Sequence, residues 1–310
     1  MSAFGVVYWR IAEGQLDGQK SAVMAKQRAV AKTLGPKIQP FVEAIEQWTR
    51  ELAGDWSAES IDPETSFDAI EHKPGVYFRL LVEDASDIPR LRKSATTSLH
   101  DGFSSCFFVS DAGGMATEGP KCQKNADCAP GLLCNDWEVC TRPARPYNMR
   151  LAYRALRVLA DDWTKQLYAA SNDLEVRAAD RDLEQVTRVD VPVAIELLQQ
   201  AKFATIVLDE APAPEVIQAN GLLPGETKVE RIQRLPHWAR VGVWDLSAKR
   251  NLVRWRGQAE GRLVAAGKPV QIGPDTAASR SRQANSCMLA WELRERLNAS
   301  ERPSSANRLP

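Results

Sequence analysis

The chain has 310 residues, 44% of them hydrophobic and 26% charged. Such a composition belongs to soluble globular protein and excludes a disordered, collagenous or rod-like coiled-coil chain, and the length allows about two domains, or one with an insertion. Forty basic residues balance forty acidic ones, without the positive excess of a dedicated nucleic-acid binder.

The segment Met1–Arg10 holds a short apolar run that ends in Tyr8-Trp9-Arg10. It is too short to span a membrane, which takes about 20 residues, and it lacks the basic start of a signal peptide. Aromatic residues do mark the interfacial end of a transmembrane helix. The start therefore reads as the remnant of a membrane anchor, with an ordinary buried element as the alternative. Residues 11–33 carry helix formers and few apolar positions, which predicts a solvated helical stalk that Gly35-Pro36 breaks. Beyond the break, Leu34, Ile38, Phe41, Ile45, Trp48 and Leu52 recur every three or four residues, the spacing of one helix face. Pro40 kinks or starts that helix. Residues 1–53 thus form a helical stalk, and 54–74 an acidic linker.

Val76–Val82 reads as a strand, rich in aromatic and β-branched residues. Asp87 caps a helix over about 87–100, with Pro89 in its first turn, and Cys106–Val109 reads as a second strand. A cysteine-rich insertion spans 113–143. Next, Met149, Ala152, Leu156, Leu159, Trp163 and Leu167 place one apolar stripe on a helix over 147–171. A charged helix over 174–188 follows, then another capped by Asp190. Phe203–Leu208 is a strand, and three more are expected near 228–235, 239–246 and 251–265, with 239–246 central. A last helix covers 276–297. The body is thus a domain over 54–298, and 299–310 is a polar, disordered tail. The expected fold is α+β: a mixed, largely antiparallel sheet packed by helices, with an N-terminal helical stalk and a disulfide-rich insertion.

Four of the six cysteines, Cys122, Cys128, Cys134 and Cys140, are evenly spaced in KCQKNADCAPGLLCNDWEVC. Zinc sites usually bring thiolates in as close C-x-x-C pairs, and this spacing is different. So short a polar segment cannot bury a core, and cross-links must hold it together; a metal cluster or four reduced surface thiols are the alternatives. Residues 127–134, DCAPGLLC, resemble the D-C-x-x-G-x-x-C pattern of small disulfide knots, such as the N-terminal cysteine-rich domain of Dickkopf proteins and the cysteine repeats of secreted bacterial lipoproteins. The resemblance covers residues 121–141 and implies a disulfide knot; an extracytoplasmic, bacterial setting is expected. Four cysteines allow three pairings; the expected one is Cys122–Cys134 with Cys128–Cys140. Cys106 and Cys287 remain, and are expected to form a long-range disulfide or to be two unrelated buried thiols.

No nucleophile elbow, zincin, phosphate-loop or dinucleotide signature is present. His100 sits where a helix end would favour a cation, His237 is expected in an exposed turn, and His72 lies in the linker. Asp161-Asp162 point different ways on a helix. Asp209-Glu210 follow a strand and form a better carboxylate candidate, with a solvated loop as the simpler reading. Residues 228–262 hold nine basic and three acidic residues, whereas 57–119 hold five basic and eleven acidic. Lys249, Arg250, Arg254, Trp255 and Arg256 could form a basic interaction patch toward anionic lipid, a wall polymer or an acidic partner. Alternatively, the two oppositely charged regions pack against each other.

These features suggest a membrane-anchored binding, scaffold or sensory domain, periplasmic or at the cell surface, without catalytic residues, metal or cofactor. Its expected partner is another protein or an envelope component, and not nucleic acid. A secreted or periplasmic hydrolase is the alternative, to be recognised by His100, His237, Asp111 or Asp209 converging in one cleft.

Overall fold

The computed structural model describes residues 3–108, 118–124, 127–129, 132–135, 137–141, 146–261 and 274–300. Asp111, Val109, the Gly113-Gly114 and Pro130-Gly131 pairs, Arg262 and the tail from residue 301 lie outside the described residues. In chain order the elements begin with α1 (Ala3–Ala53), β1 (Ser60–Ile61), α2 (Phe67–Glu71), β2 (Gly75–Leu81), α3 (Val82–Ala85), α4 (Ile88–Ala95) and α5 (Gly102–Phe107). There follow β3 (Leu133–Cys134), β4 (Cys140–Thr141), β5 (Tyr147–Asn148), α6 (Arg150–Leu156), α7 (Asp161–Ala169), α8 (Asp173–Gln185), a π-helical segment (Val186–Asp190) and α9 (Val191–Gln200). The chain ends with β6 (Phe203–Asp209), α10 (Pro214–Asn220), α11 (Lys228–Arg234), β7 (His237–Asp245), β8 (Arg250–Ala259) and α12 (Pro274–Ser300).

The chain forms two compact units: residues 1–42, 115–143 and 151–199, and residues 43–114, 144–150 and 200–310. In the first unit the early part of α1 packs rather than standing free as a solvated stalk. Val23, Met24 and Gln27 are buried, Gln27 Nε2 donates to the Val158 carbonyl at 3.1 Å, and Lys26 bridges Asp180 and Glu184. The disulfide-braced segment contributes the small antiparallel pair β3–β4. The expected single helix over 147–171 is two helices, α6 and α7, because Ala160 adopts an extended conformation between them. Conversely, the separate helix start expected at Asp190 does not occur, since the chain passes from α8 to α9 through the π-helical segment.

The second unit is built on a six-stranded sheet in the order β1-β8-β7-β6-β2-β5. β6, β7 and β8 form an antiparallel meander, while β6–β2 and β2–β5 are parallel. The α+β class and mixed sheet read from the sequence are those observed. β2 and β6 are buried at every position, which explains why they read as continuous apolar runs rather than alternating ones. One core holds Tyr77, Phe103, Phe107, Val241, Trp255 and Leu293, so α5 and α12 supply a layer beside the sheet. Elsewhere in the unit, Trp48 from the end of α1 stacks on Trp244 at 5.5 Å between ring centroids. Gly242 and Gly257 leave the space that the indoles of Trp244 and Trp255 occupy; a Cβ at either would overlap the ring.

Three expectations are corrected. The break at Gly35-Pro36 is absent, and α1 runs on through Pro36 and Pro40. Both rings are exposed, while Leu34, Ile38, Val42, Ile45 and Leu52 are buried; burial of that stripe outweighs the roughly 3 kcal/mol cost of an interior proline. Residues 102–107 are helix, not strand, because Asp101 and Ser104 form a capping box. Residues 228–234 are likewise helix, nucleated by the reciprocal Thr227–Glu230 box.

Candidate functional site

The sequence places one charge inside each of the two buried apolar runs, Arg79 in β2 and Asp209 at the end of β6. Because those strands pair in parallel with Leu81 opposite Asp209, both charges lie toward the same end of the sheet. Arg79 Nε and Nη2 donate to the Asp209 carboxylate at 2.7–3.0 Å. Its Nη1 donates to Asp101 Oδ2 at 2.9 Å and to Ser286 Oγ at 2.8 Å. Asp101 holds the first turn of α5 through Oδ1, which accepts from the Ser104 amide, and its Oδ2 also accepts from the Tyr77 hydroxyl at 2.8 Å.

On the other side of Asp209, His237 Nε2 lies 3.0 Å from Oδ1 and Gln233 Nε2 donates to Oδ2 at 3.2 Å. His237 Nδ1 lies 2.7 Å from the Leu235 carbonyl. Burial would push the Asp209 carboxyl up, but the Arg79 guanidinium and the His237 ring more than reverse this and hold it well below the ordinary carboxylate range. The Tyr77 hydroxyl is pushed well up, first by burial and then by the negative charge of Asp101.

Nothing in the sequence brings this cluster together, although Asp209 and His237 each stand out in it. Asp209 is not on a solvated loop and His237 is not in an exposed turn; the side chains of both are 0% exposed. The signal that could have found the cluster was a lone arginine in one apolar run and an aspartate closing the other, since charges buried on both faces of a sheet must be paired. As acid–base machinery the arrangement is incomplete. Both His237 nitrogens face oxygens of the chain itself, so neither is directed at a nucleophile, and Arg79 has a side-chain exposure of only 2%.

The six cysteines form three disulfides: Cys122–Cys134, Cys128–Cys140 and Cys106–Cys287, with Cα separations of 5.8, 5.5 and 5.3 Å. The sulfurs of Cys122, Cys128 and Cys140 lie within 4.8 Å of one another, but as disulfide sulfurs they are not thiolate ligands. The third bond joins α5 to α12, one residue from Ser286. Disulfides form and persist in oxidising compartments. Among the described residues no helix is long and apolar enough to cross a membrane.

The basic strand residues have partners within the chain. Arg250 pairs with Asp62 at 2.9 Å. Arg254 donates to the Asp55 carbonyl and lies over the Trp56 ring. Arg256 pairs with Glu210 at 2.6 Å and covers Trp238. Arg240 joins Glu210 as well and donates to the Leu52 and Ala53 carbonyls, closing the end of α1. Trp255 alternates to the other face of β8 and is fully buried in the core, while Lys249 sits in the β7–β8 turn with φ 52°. Arg256→Glu should therefore destabilise the protein rather than leave it unchanged. It sets a carboxylate against Glu210, which is mostly buried, and an expected loss is about 1–3 kcal/mol. A urea midpoint equal to wild type would show that these contacts contribute nothing.

His72 contacts Glu71 at 3.1 Å at the end of α2, and His100 is exposed before Asp101. No protein-family model, characterised protein or solved structure matches the chain.

Proposed function

We propose that the protein is a non-catalytic binding or scaffold domain of an oxidising, extracytoplasmic compartment, with another protein or an envelope component as its partner. The observation that carries this reading is the sealed cluster around Asp209. Its histidine, carboxylates, arginine and serine are the residue types of a hydrolase, yet they are spent on one another. The three disulfides support the compartment.

The Asp209–His237 contact is the one feature that favours a hydrolase instead. Incubation with chromogenic esters, phosphate esters and glycosides separates the two readings. No turnover above buffer is expected. Turnover by wild type that disappears in a folded His237→Gln variant overturns the binding reading. The compartment is tested by alkylation and mass spectrometry of protein taken from its native cells without reductant. Six blocked cysteines are expected, and free thiols at those positions would overturn it.

A further inference from the structure

The first unit carries an open groove of about 650 Å³, walled on one side by the disulfide-braced segment and on the other by the end of α8. Lys124 and Glu138 line it from the segment, and Arg181, Glu184, Gln185 and Arg188 from the helix. Residues 181, 185 and 188 recur at the spacing that aligns side chains along one helix face.

Two unusual backbone features meet at this groove. Arg188 belongs to the π-helical segment Val186–Asp190, a form that occurs frequently at functional sites. On the facing wall, Glu138 adopts φ 56°, a left-handed conformation disfavoured for side chains other than those of asparagine and aspartate. A fixed turn imposes it. Asn135 Oδ1 accepts from the amides of Trp137 and Val139 at 3.0 Å, and the Glu138 carbonyl accepts from the Cys122 amide at 2.8 Å. The turn thus fixes the Glu138 backbone at the groove wall, with its side chain exposed.

Among the described residues no ion pair engages Lys124, Arg181, Arg188 or Glu138, and Arg181 has only the Arg177 carbonyl. The Asp127 carboxyl, lowered first by the Gln123 amide, is nevertheless lowered further by the charges of Lys124 and Arg188. The nearby acids are occupied. Glu184 pairs with Lys26 at 3.0 Å, and Asp127 accepts from the amides of Gln123 and Lys124. The groove therefore offers three cations to an anion, beside two carboxylates that can only accept, Glu138 and the Glu184 already paired with Lys26. A bare anion would satisfy the cations but face Glu138 with like charge. A molecule bearing both an anionic group and hydroxyl donors satisfies both. The lining contains no large apolar side chain, so a ligand there must be held by polar contacts.

We propose that this groove binds an acidic saccharide, a sugar unit carrying a carboxylate, with Arg181, Arg188 and Lys124 pairing the carboxylate and Glu138 accepting from hydroxyls. The proposal rests on the binding-domain reading and gives it a ligand class. It is tested by titrating the whole chain calorimetrically with tetragalacturonate, neutral maltotetraose, inorganic phosphate and hexa-aspartate at physiological salt. Tetragalacturonate is expected to bind at least tenfold more tightly than the other three. Arg181→Gln with Arg188→Gln should weaken it at least tenfold, and Glu138→Asn, which keeps a residue at home in the left-handed region, severalfold. Thermal unfolding at the wild-type temperature accompanies each variant.

No binding of tetragalacturonate overturns the proposal, as does equal binding of phosphate or hexa-aspartate, or binding unchanged in the groove variants. The titrated mixture is also examined for shortened oligosaccharide. Cleavage with groove-dependent binding would overturn the non-catalytic reading and leave the saccharide site standing; absence of binding would overturn the site and leave that reading untouched.

Discussion

Asp209→Asn is expected to destabilise the protein by about 3–5 kcal/mol, the cost of breaking a buried ion pair while its partner stays in place. The variant keeps the shape of the side chain but leaves Arg79 and His237 facing a neutral amide. Arg79 cannot reach water from its position in β2, with its side chain 2% exposed. The pH dependence follows from the direction of the Asp209 shift. Its carboxyl is held well below the ordinary range in the folded protein, by Arg79 and His237 acting against burial. The folded state therefore binds fewer protons than the unfolded chain once pH falls to about 3.9, the ordinary aspartate value. The stabilisation is fully present above that pH and is lost as pH falls through it toward the folded value. Urea midpoints of wild type and variant should differ most near neutrality and begin to converge as pH falls below about 5, the gap still narrowing below about pH 3 toward the folded value. A gap independent of pH would show that the destabilisation comes from packing and not from charge. Replacing Arg79 by methionine and Asp209 by leucine together should cost less than the two single changes added, since the two charges of the buried pair leave together and Asp101 loses Arg79 equally in the single and double variants.

How this cluster escaped the sequence reading has a physical explanation. Residues 76–82 and 203–208 were legible as strands because their apolar character extends over both faces, and β7 was legible as central for the same reason. Arg79 was passed over because one charge does not disturb such a run. What gives it meaning is the parallel register with β6, and nothing local encodes a pairing across more than a hundred residues. Local signals of another kind were present but outvoted. The Thr227–Glu230 box starts α11, where a strand near 228–235 is expected. The Asp101–Ser104 box likewise starts α5, although Phe107 and Phe108 have strand character. At Pro36 the opposite occurred: a strong local stop signal yielded to the burial of Leu34 and Ile38 on the same helix. The groove of the first unit was illegible for a further reason. Arg181 and Arg188 read as a solvated helix face, and the segment opposite them is defined by disulfides rather than by any periodic pattern.

Replacing Cys106 and Cys287 together by serine should lower stability by up to about 5 kcal/mol, the largest effect expected of any of the three disulfides. In the chain-entropy account the gain from a cross-link grows with the loop it closes. This bond spans 181 residues, whereas each bond of the cysteine-rich segment spans 12, for which the same account gives about 3 kcal/mol. A second contribution is local. The bond ties α5 to α12 at the point where Asp101 and Ser286 both reach Arg79, so losing it loosens two of the partners that compensate a buried charge. The helices also approach closely, since a Cβ on Gly102 would lie within 3 Å of Gln283 and Ser286, and that contact persists without the bond. Urea unfolding with and without dithiothreitol separates these terms. Reductant should lower the wild-type midpoint further than the variant's, by the contribution of the long bond, because in the variant only the two short bonds of the cysteine-rich segment remain to be cut. If the variant unfolds within about 1 kcal/mol of wild type, the packing of α5 on α12 and the Arg79 cluster hold the helices together unaided, and the long cross-link serves some purpose other than stability.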